Sequence, residues 1–398
     1  MTSIISLRDF CESQRGWLLE TIESLVRLES PTDDKAAVDR CGAELARRLE
    51  AIGGRVTRVP QTARGDHLFV EFDHGPPEGG HYEGGHYEGG HYERGHYDVL
   101  LLGHFDTVWS VGQIERMPVR RDNGRLYGPG VFDMKAGIAI AMLVARALRE
   151  TEGAAARRVA MLWTTDEEVG SQTSRALIED VARRSAAVLV LEPSLPGGAV
   201  KTARKGCGQY ELHVRGVAAH AGIDPTKGAS AIHELAHQIC RIAELRQLSE
   251  GVSVNVGTVE GGTRPNVVAD SARAVIDVRA VNRNDMNMID SIIRRQALHN
   301  PATTLEVTGG FDRPPLERTG DVVRLYEQAR AVARELGQEL QEGSTGGGSD
   351  GNFTAAIGVP TLDGLGAVGE GAHALHEHVQ IDALAGRAAL IAGLIASI

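Results

Sequence analysis

Apolar runs of strand length recur along this chain, and each leads to a histidine or a carboxylic acid at its far end. The run 99–103 is followed by His104 and Asp106, the run 159–165 by Glu167 and Glu168, and the run 187–191 by Glu192. A further run, 359–365, leads through a glycine-rich stretch to His373. Alternation of such runs with helical segments builds an open α/β sheet, and ligand sites in these sheets collect at the carboxyl ends of the strands. Several carboxylates on one rim repel one another unless positive charge sits among them. A cluster of divalent metal ions meets that requirement.

The order of elements predicts two domains. Apolar residues at helical spacing (Leu18, Ile22, Leu25, Val26; then Cys41, Leu45, Leu49, Ile52) open the fold with helices stopped by Pro31 and by Gly53 and Gly54. Strands at 55–59 and 68–72 follow, then the α/β pattern from 99 to 192 with an apolar helix at 138–148. Between about 206 and 310 the order becomes strand 209–214, helix 230–245, strands 253–259 and 272–278, helix 285–299 and strand 304–308. That is the split βαββαβ pattern of a ferredoxin-like domain. The α/β style resumes with helices at 322–336 and 384–395. The expected division is therefore a discontinuous first domain, 1–205 and 312–398, with 206–311 inserted into it.

Between the strands at 68–72 and 99–103 the pentapeptide GGHYE occurs three times and RGHYD once, carrying His81, His86, His91 and His96. Histidine-rich tracts can bind metal, but glycine-rich pentapeptides between two strands read more simply as an expanded hairpin loop.

A length of 398 residues, 42% of them hydrophobic, supplies two cores. The formal net charge of −11 argues against nucleic acid or an anionic membrane as the main partner, since those require a concentrated basic face. Asp9, Glu12 and Glu20 interrupt the apolar N-terminal residues, which read as an amphipathic helix rather than a signal peptide. Apolar stretches all fall short of the roughly 20 residues that span a bilayer. Cys11, Cys41, Cys207 and Cys240 are scattered, without the close pairs of a structural zinc site or a disulfide framework. A cytoplasmic location is expected.

His104 and Asp106 have the spacing of a metal-binding imidazole with a carboxylate close enough to orient it. Asp133 follows GPGVF and precedes the apolar helix, where it can cap the helix or bridge two metals with both oxygens. Lys135 nearby reads as a salt-bridge partner. Glu167 and Glu168 point in different directions as neighbours, which suits one to ligate and the other to handle protons. Pro193 restricts the backbone of Glu192 to extended forms and so fixes the aim of its carboxylate.

These stretches together resemble the M20 family of dinuclear zinc peptidases, and within it the glutamate carboxypeptidase (carboxypeptidase G2-like) branch. The resemblance is carried by GHFDTVW at 103–109, GPGVFDMKAG at 128–137, TTDEEVGS at 164–171, LEPS at 191–194, AAHAG at 218–222, RPNVVAD at 264–270, DVR at 277–279, GGGSDG at 346–351 and GEGAHALHEHV at 369–379. It implies a zinc-exopeptidase-type α/β/α catalytic domain with an inserted ferredoxin-like lid or dimerisation domain. It further implies two Zn²⁺ ions per subunit, with Asp133 bridging them, His104 and Glu192 completing one site and Glu168 and His373 the other. Mn²⁺ or Co²⁺ suits the same donors. His376 and His378 rival His373 by spacing; the match of GAH to the family selects His373. Glu167 becomes the general base acting on a metal-bridged water, Asp106 the orienting partner of His104, and His220 a donor to the tetrahedral intermediate, reaching from the inserted domain of a partner subunit. A homodimer follows. Arg279 and Asn266 would hold the free carboxylate of the released residue, and Gly347 and Gly348 would let backbone approach the substrate. Arg204 and Lys205 are further candidates for an acid-selecting pocket.

The implied activity is that of a carboxypeptidase releasing a C-terminal, glutamate-like amino acid from a small-molecule or peptide substrate. The alternative is an N-acyl-amino-acid deacylase of the same metal chemistry. Two other classes are weaker. Gly347-Gly348-Ser349-Asp350-Gly351 fits the G-x-S-x-G elbow of a serine hydrolase, with Asp363 and His373 following, but the polar segment 341–346 is unlike the buried strand that elbow needs. A non-catalytic metal-binding protein would have no use for Glu167.

Overall fold

The computed structural model describes residues 4–73, 97–151 and 157–398, so the histidines of the pentapeptide repeat lie outside the described residues. The chain forms two compact units. The first comprises Met1–Thr202, Arg318–Ser344 and Ser349–Ile398, and the second Ala203–Glu317 with Thr345–Gly348.

The first unit is built on a six-stranded sheet. Its strands run in the order Arg55–Val59, His67–Asp73, Arg158–Thr164, Tyr97–His104, Ser185–Val190 and Thr361–Leu362. The first two pair antiparallel and the last four are parallel. Val99, Leu100, Leu101 and Leu102 are all wholly buried, as expected of a parallel strand covered on both faces. Register levels the strand ends: His104 lies opposite Thr164, and Leu102 opposite Val190. Two residues beyond that second pair, Glu192 therefore emerges beside His104.

Helices Ala136–Glu150 and Ile381–Ser397 are buried nearly all round, which is why their sequences show little polar face. Gly137 makes the first of these possible, because a Cβ there would sit 2.2 Å from the carbonyl oxygen of Leu191. Two N-terminal helices, Ile4–Ser13 and Arg15–Val26, and the helix Gly320–Glu335 complete the same hydrophobic core. Helix Lys35–Ala51 starts where Asp34 accepts a hydrogen bond from the Ala37 N–H at 3.0 Å.

A second, small sheet of the first unit pairs Gly369–Glu370 with His378–Gln380, and the latter with Arg125–Tyr127. Its antiparallel pair 369–380 presents His373, at a φ of +61°, on the connecting turn.

The second unit is a four-stranded antiparallel sheet in the order Ser253–Gly261, Ser271–Ala280, Gly206–Arg215, Thr304–Arg313. Helices Ala231–Ala243 and Arg283–Arg294 pack on it around Tyr210, Leu212, Leu235, Ile276 and Ile289. The strand–helix–strand–strand–helix–strand order is that expected from the sequence. The second helix is shorter than expected, ending at Arg294 rather than at 299, because the N–H groups of His299 and Asn300 turn to the carboxylate of Glu234. Among the described residues no helix is long and apolar enough to cross a membrane.

Candidate metal centre

His104 ends the central strand of the first unit with its ring buried. Nδ1 bonds the main-chain oxygen of Asp106 at 3.0 Å, and the carboxylate Oδ1 of Asp106 stands 3.3 Å away. The backbone carbonyl thus shares the orienting part that the sequence assigns to the carboxylate alone. Asp106 is itself fixed by the Thr32 hydroxyl at 2.8 Å. With Nδ1 so occupied, Nε2 faces inward, 3.3 Å from Oδ1 of Asp133 and 3.3 Å from Oε1 of Glu192.

Asp133 does not spend its carboxylate on capping the helix, which begins three residues later at Ala136 without a side-chain cap. Its Oδ1 faces His104, and its Oδ2 lies 3.4 Å from Nε2 of His373. The same imidazole nitrogen is 3.3 Å from Oε2 of Glu168. Asp133 therefore stands between two donor sets, His104 with Glu192 on one side and His373 with Glu168 on the other. Glu167 also reaches the cluster: one of its oxygens lies within 4.8 Å of donor atoms of His104 and Glu192. His378 is buried against Tyr127 with its Nδ1 on the His376 carbonyl oxygen, so of the three histidines it is His373 that meets the carboxylates.

The glutamate pair sits on a single 3-10 turn, Glu167–Val169, held from behind. Asp166 accepts from the N–H and hydroxyl of Thr173 at 2.6 and 2.7 Å, and His67 bridges the hydroxyls of Thr165 and Thr173. Asp350 accepts from the Thr164 hydroxyl at 2.9 Å. Lys135, read as a salt-bridge partner, is buried and donates to the Leu28 carbonyl oxygen at 2.6 Å.

Among the described residues His104 Nε2, Asp133 Oδ1 and Glu168 Oε1 are buried with no hydrogen-bond partner. Each such atom costs about 1–3 kcal/mol, and three that converge are the mark of a cation site. Two imidazoles with several carboxylates suit zinc, manganese or cobalt. The charges respond to one another accordingly. Burial opposes protonation of His104, but Asp106, Asp133 and Glu192 raise its pKa well above the usual histidine value. Asp133 and Glu168 raise His373 to about 10. Burial opposes ionisation of Asp133, yet the two imidazoles hold its carboxyl far below the usual range.

One buried acid at the centre escapes sequence reasoning. Glu377 lies inside the stretch GEGAHALHEHV, where nothing in the spacing marks it. Its carboxylate accepts from the indole of Trp109 and from the backbone of Gly130, Phe132 and Asp133. Burial pushes its pKa up to about 7 against those four donors.

The remaining candidates belong to the second unit. His220 is exposed, and its Nδ1 accepts from the N–H groups of Gly222 and Ile223 at 3.1 and 3.2 Å. This places the ring proton on Nε2. The main-chain oxygen of Asn266 accepts from the Ala221 N–H at 2.9 Å and His220 bridges to Val267, so the segments of His220 and Asn266 are neighbours. Arg279 directs Nε and Nη2 to Asp277 at 2.9 and 2.7 Å and Nη1 to the Cys207 sulfur. Its fork already holds a carboxylate from its own strand. The carbonyl oxygens of Gly347 and Gly348 accept from Arg204, which is spent there. Ser349 is wholly buried in the first unit, its hydroxyl on Asp363 at 2.6 Å, which removes the serine-hydrolase alternative.

Comparison with known proteins agrees with this geometry. Residues 100–397 match Peptidase family M20/M25/M40. Carboxypeptidase G2 of Pseudomonas sp. (strain RS-16) is 28% identical over 385 residues, covering 95% of this chain and 88% of its own. Succinyl-diaminopimelate desuccinylase of Acidovorax ebreus (strain TPSY) is 27% identical over 387 residues, covering 90% and 92%. Among solved structures, the YXEP protein of Bacillus subtilis, described as a dinuclear metal binding peptidase, superposes with a TM-score of 0.67 at 15% identity over 97% of this chain and 98% of that one. The chain belongs to Peptidase family M20/M25/M40 and is a metal-dependent hydrolase of that family.

Proposed function

We propose that the protein is a dinuclear zinc hydrolase that cleaves an amide bond and releases a C-terminal, glutamate-like amino acid. The observation that carries this reading is the division of Asp133, whose two oxygens face His104 with Glu192 and His373 with Glu168. His104, Asp133 and Glu192 would hold one ion, and Asp133, Glu168 and His373 the other. Bound there, the ions would supply Lewis acidity to the scissile carbonyl and lower the pKa of water toward 7.

Glu167 has an oxygen within 4.8 Å of donor atoms of His104 and Glu192 and is not among the five ligands of this reading; its part would be to take the proton of the attacking water and pass it to the leaving nitrogen. Asp106 keeps the His104 ring turned inward. His220 of the partner subunit, protonated on Nε2, would donate to the developing oxyanion, which makes a homodimer part of the reading. Arg279 would take the substrate's free carboxylate in exchange for Asp277, with Asn266 as a further donor and the backbone of Gly347 and Gly348 approaching the substrate; within one chain Asn266 lies beside Ala221, beyond the far end of the Arg279 strand. Cys11, Cys41, Cys207 and Cys240 are all free, in keeping with a reducing, cytoplasmic setting.

The resemblance to succinyl-diaminopimelate desuccinylases supports a second reading, an N-acyl-amino-acid deacylase, in which the acyl group rather than the released residue is selected. A hydrolysis screen with zinc added decides between them. Turnover of several N-acyl glutamates regardless of acyl group fits the first reading. Turnover that follows the acyl group and ignores the amino acid sinks it.

A further inference from the structure

Glu377 is wholly buried and four residues beyond His373 on the same turn. Its Oε2 accepts from Trp109 Nε1 at 2.8 Å and from the Gly130 N–H at 2.9 Å; its Oε1 accepts from the Phe132 and Asp133 N–H groups at 2.9 and 3.1 Å. The backbone donors precede it by 244 to 247 positions. Among the described residues its hydrogen bonds come from one indole and three backbone N–H groups and from no cation, so this carboxylate is buried as an acceptor for N–H groups. The loop wraps around it: Gly130, at a φ of +70°, turns the chain so that closely spaced N–H groups converge on one anion.

The geometry points to Glu377 as the positioning residue of the bridging carboxylate: it gathers the 130–133 backbone so that Asp133 faces both donor sets, and ties to that loop the turn that presents His373. The inference rests on the dinuclear reading above and adds to it the element that sets the spacing of the two halves. A glutamate suits the task because all four donors need acceptors. Glutamine offers one acceptor oxygen and turns an NH₂ group toward N–H donors, while aspartate falls a methylene short.

The experiment measures metal rather than turnover. Zinc stoichiometry and affinity are read by competition with a chromophoric chelator for the wild type, Glu377→Gln, Trp109→Phe and, as a one-site reference, His373→Ala. The melting temperature of each metal-free protein is measured alongside. Glu377→Gln is expected to weaken both ions by about ten- to a hundredfold and to lower the metal-free melting temperature as well, since N–H donors of the 130–133 loop or of Trp109 lose their acceptor. Trp109→Phe, which removes one donor, should weaken both by roughly fivefold. His373→Ala should weaken one.

Wild-type affinity for both ions in Glu377→Gln overturns the inference, and so does a loss confined to one ion as in His373→Ala. Should Glu377→Gln fail to fold, Trp109→Phe decides, and an unchanged affinity there is equally fatal. A wild type that binds a single ion removes the dinuclear reading and the inference with it, an outcome distinct from failure of the variants.

Discussion

Glu167 and Glu168 share one turn and one chain environment, yet they are assigned different work because of what they face. Glu168 meets His373 at 3.3 Å, whereas Glu167 lies toward His104 and Glu192, which already have Asp133 between them. Glu167→Gln is therefore expected to lower kcat by about 10²- to 10⁴-fold while zinc content stays at the wild-type value. Full activity in that variant would reassign the base. A different residue-scale balance holds at Arg387, whose buried guanidinium donates to the carbonyl oxygens of Gly198, Gly364, Leu365 and Gly366. Burial alone pulls its pKa down to about 10. These bonds fix the chain between strand Thr361–Leu362 and the turn that bears His373. Arg387→Met leaves carbonyls buried without donors and should cost about 3–5 kcal/mol, read as a lower urea midpoint at unchanged slope.

At the scale of elements, the centre depends on how closely helix Ala136–Glu150 approaches the end of strand Ser185–Val190. Gly137 permits that approach, and an added Cβ would meet the Leu191 carbonyl oxygen at 2.2 Å. The backbone carrying Glu192 would have to yield. Gly137→Ala is expected to cost about 1–3 kcal/mol and to loosen the ion held by His104 and Glu192. A melting temperature and zinc affinity equal to wild type would show that the helix can slide. This dependence on elements also explains what could be read in the sequence. Leu100, Leu101 and Leu102 announce a buried strand by composition, and with it the place where His104 emerges; the apolar runs 159–163 and 187–191 do the same for Glu167 and Glu192. Asp133 could be read as cap or bridge, and only the helix start at Ala136 separates the two. Glu377 and Arg387 could not be found that way, because their partners are backbone N–H groups and carbonyls of remote segments, which carry no residue-type signal. The fork of Arg279 is the opposite case: its partner Asp277 lies two residues away on the same strand face, a contact that alternation along a strand makes plain once the strand is assigned.

For the molecule as a whole, the distribution of the cluster predicts where metal acts on stability. His104, Asp133, Glu167, Glu168, Glu192 and His373 all belong to the first unit, and the second has its own core around Tyr210, Leu212 and Ile276. A ligand that binds only the folded form stabilises it by RT ln(1 + [L]/Kd), about 2.7 kcal/mol for each ion at a hundredfold excess over Kd. That gain should fall on the segments that carry the ligands, since local openings have their own free energies. Hydrogen exchange with zinc and after chelation is expected to differ strongly in peptides covering Tyr97–His104 and residues 128–137. Peptides from Ser253–Gly261 and Ser271–Ala280 should exchange alike in both states. Equal loss of protection in the two sets would mean that the units open together, and metal would then report on the stability of the entire chain.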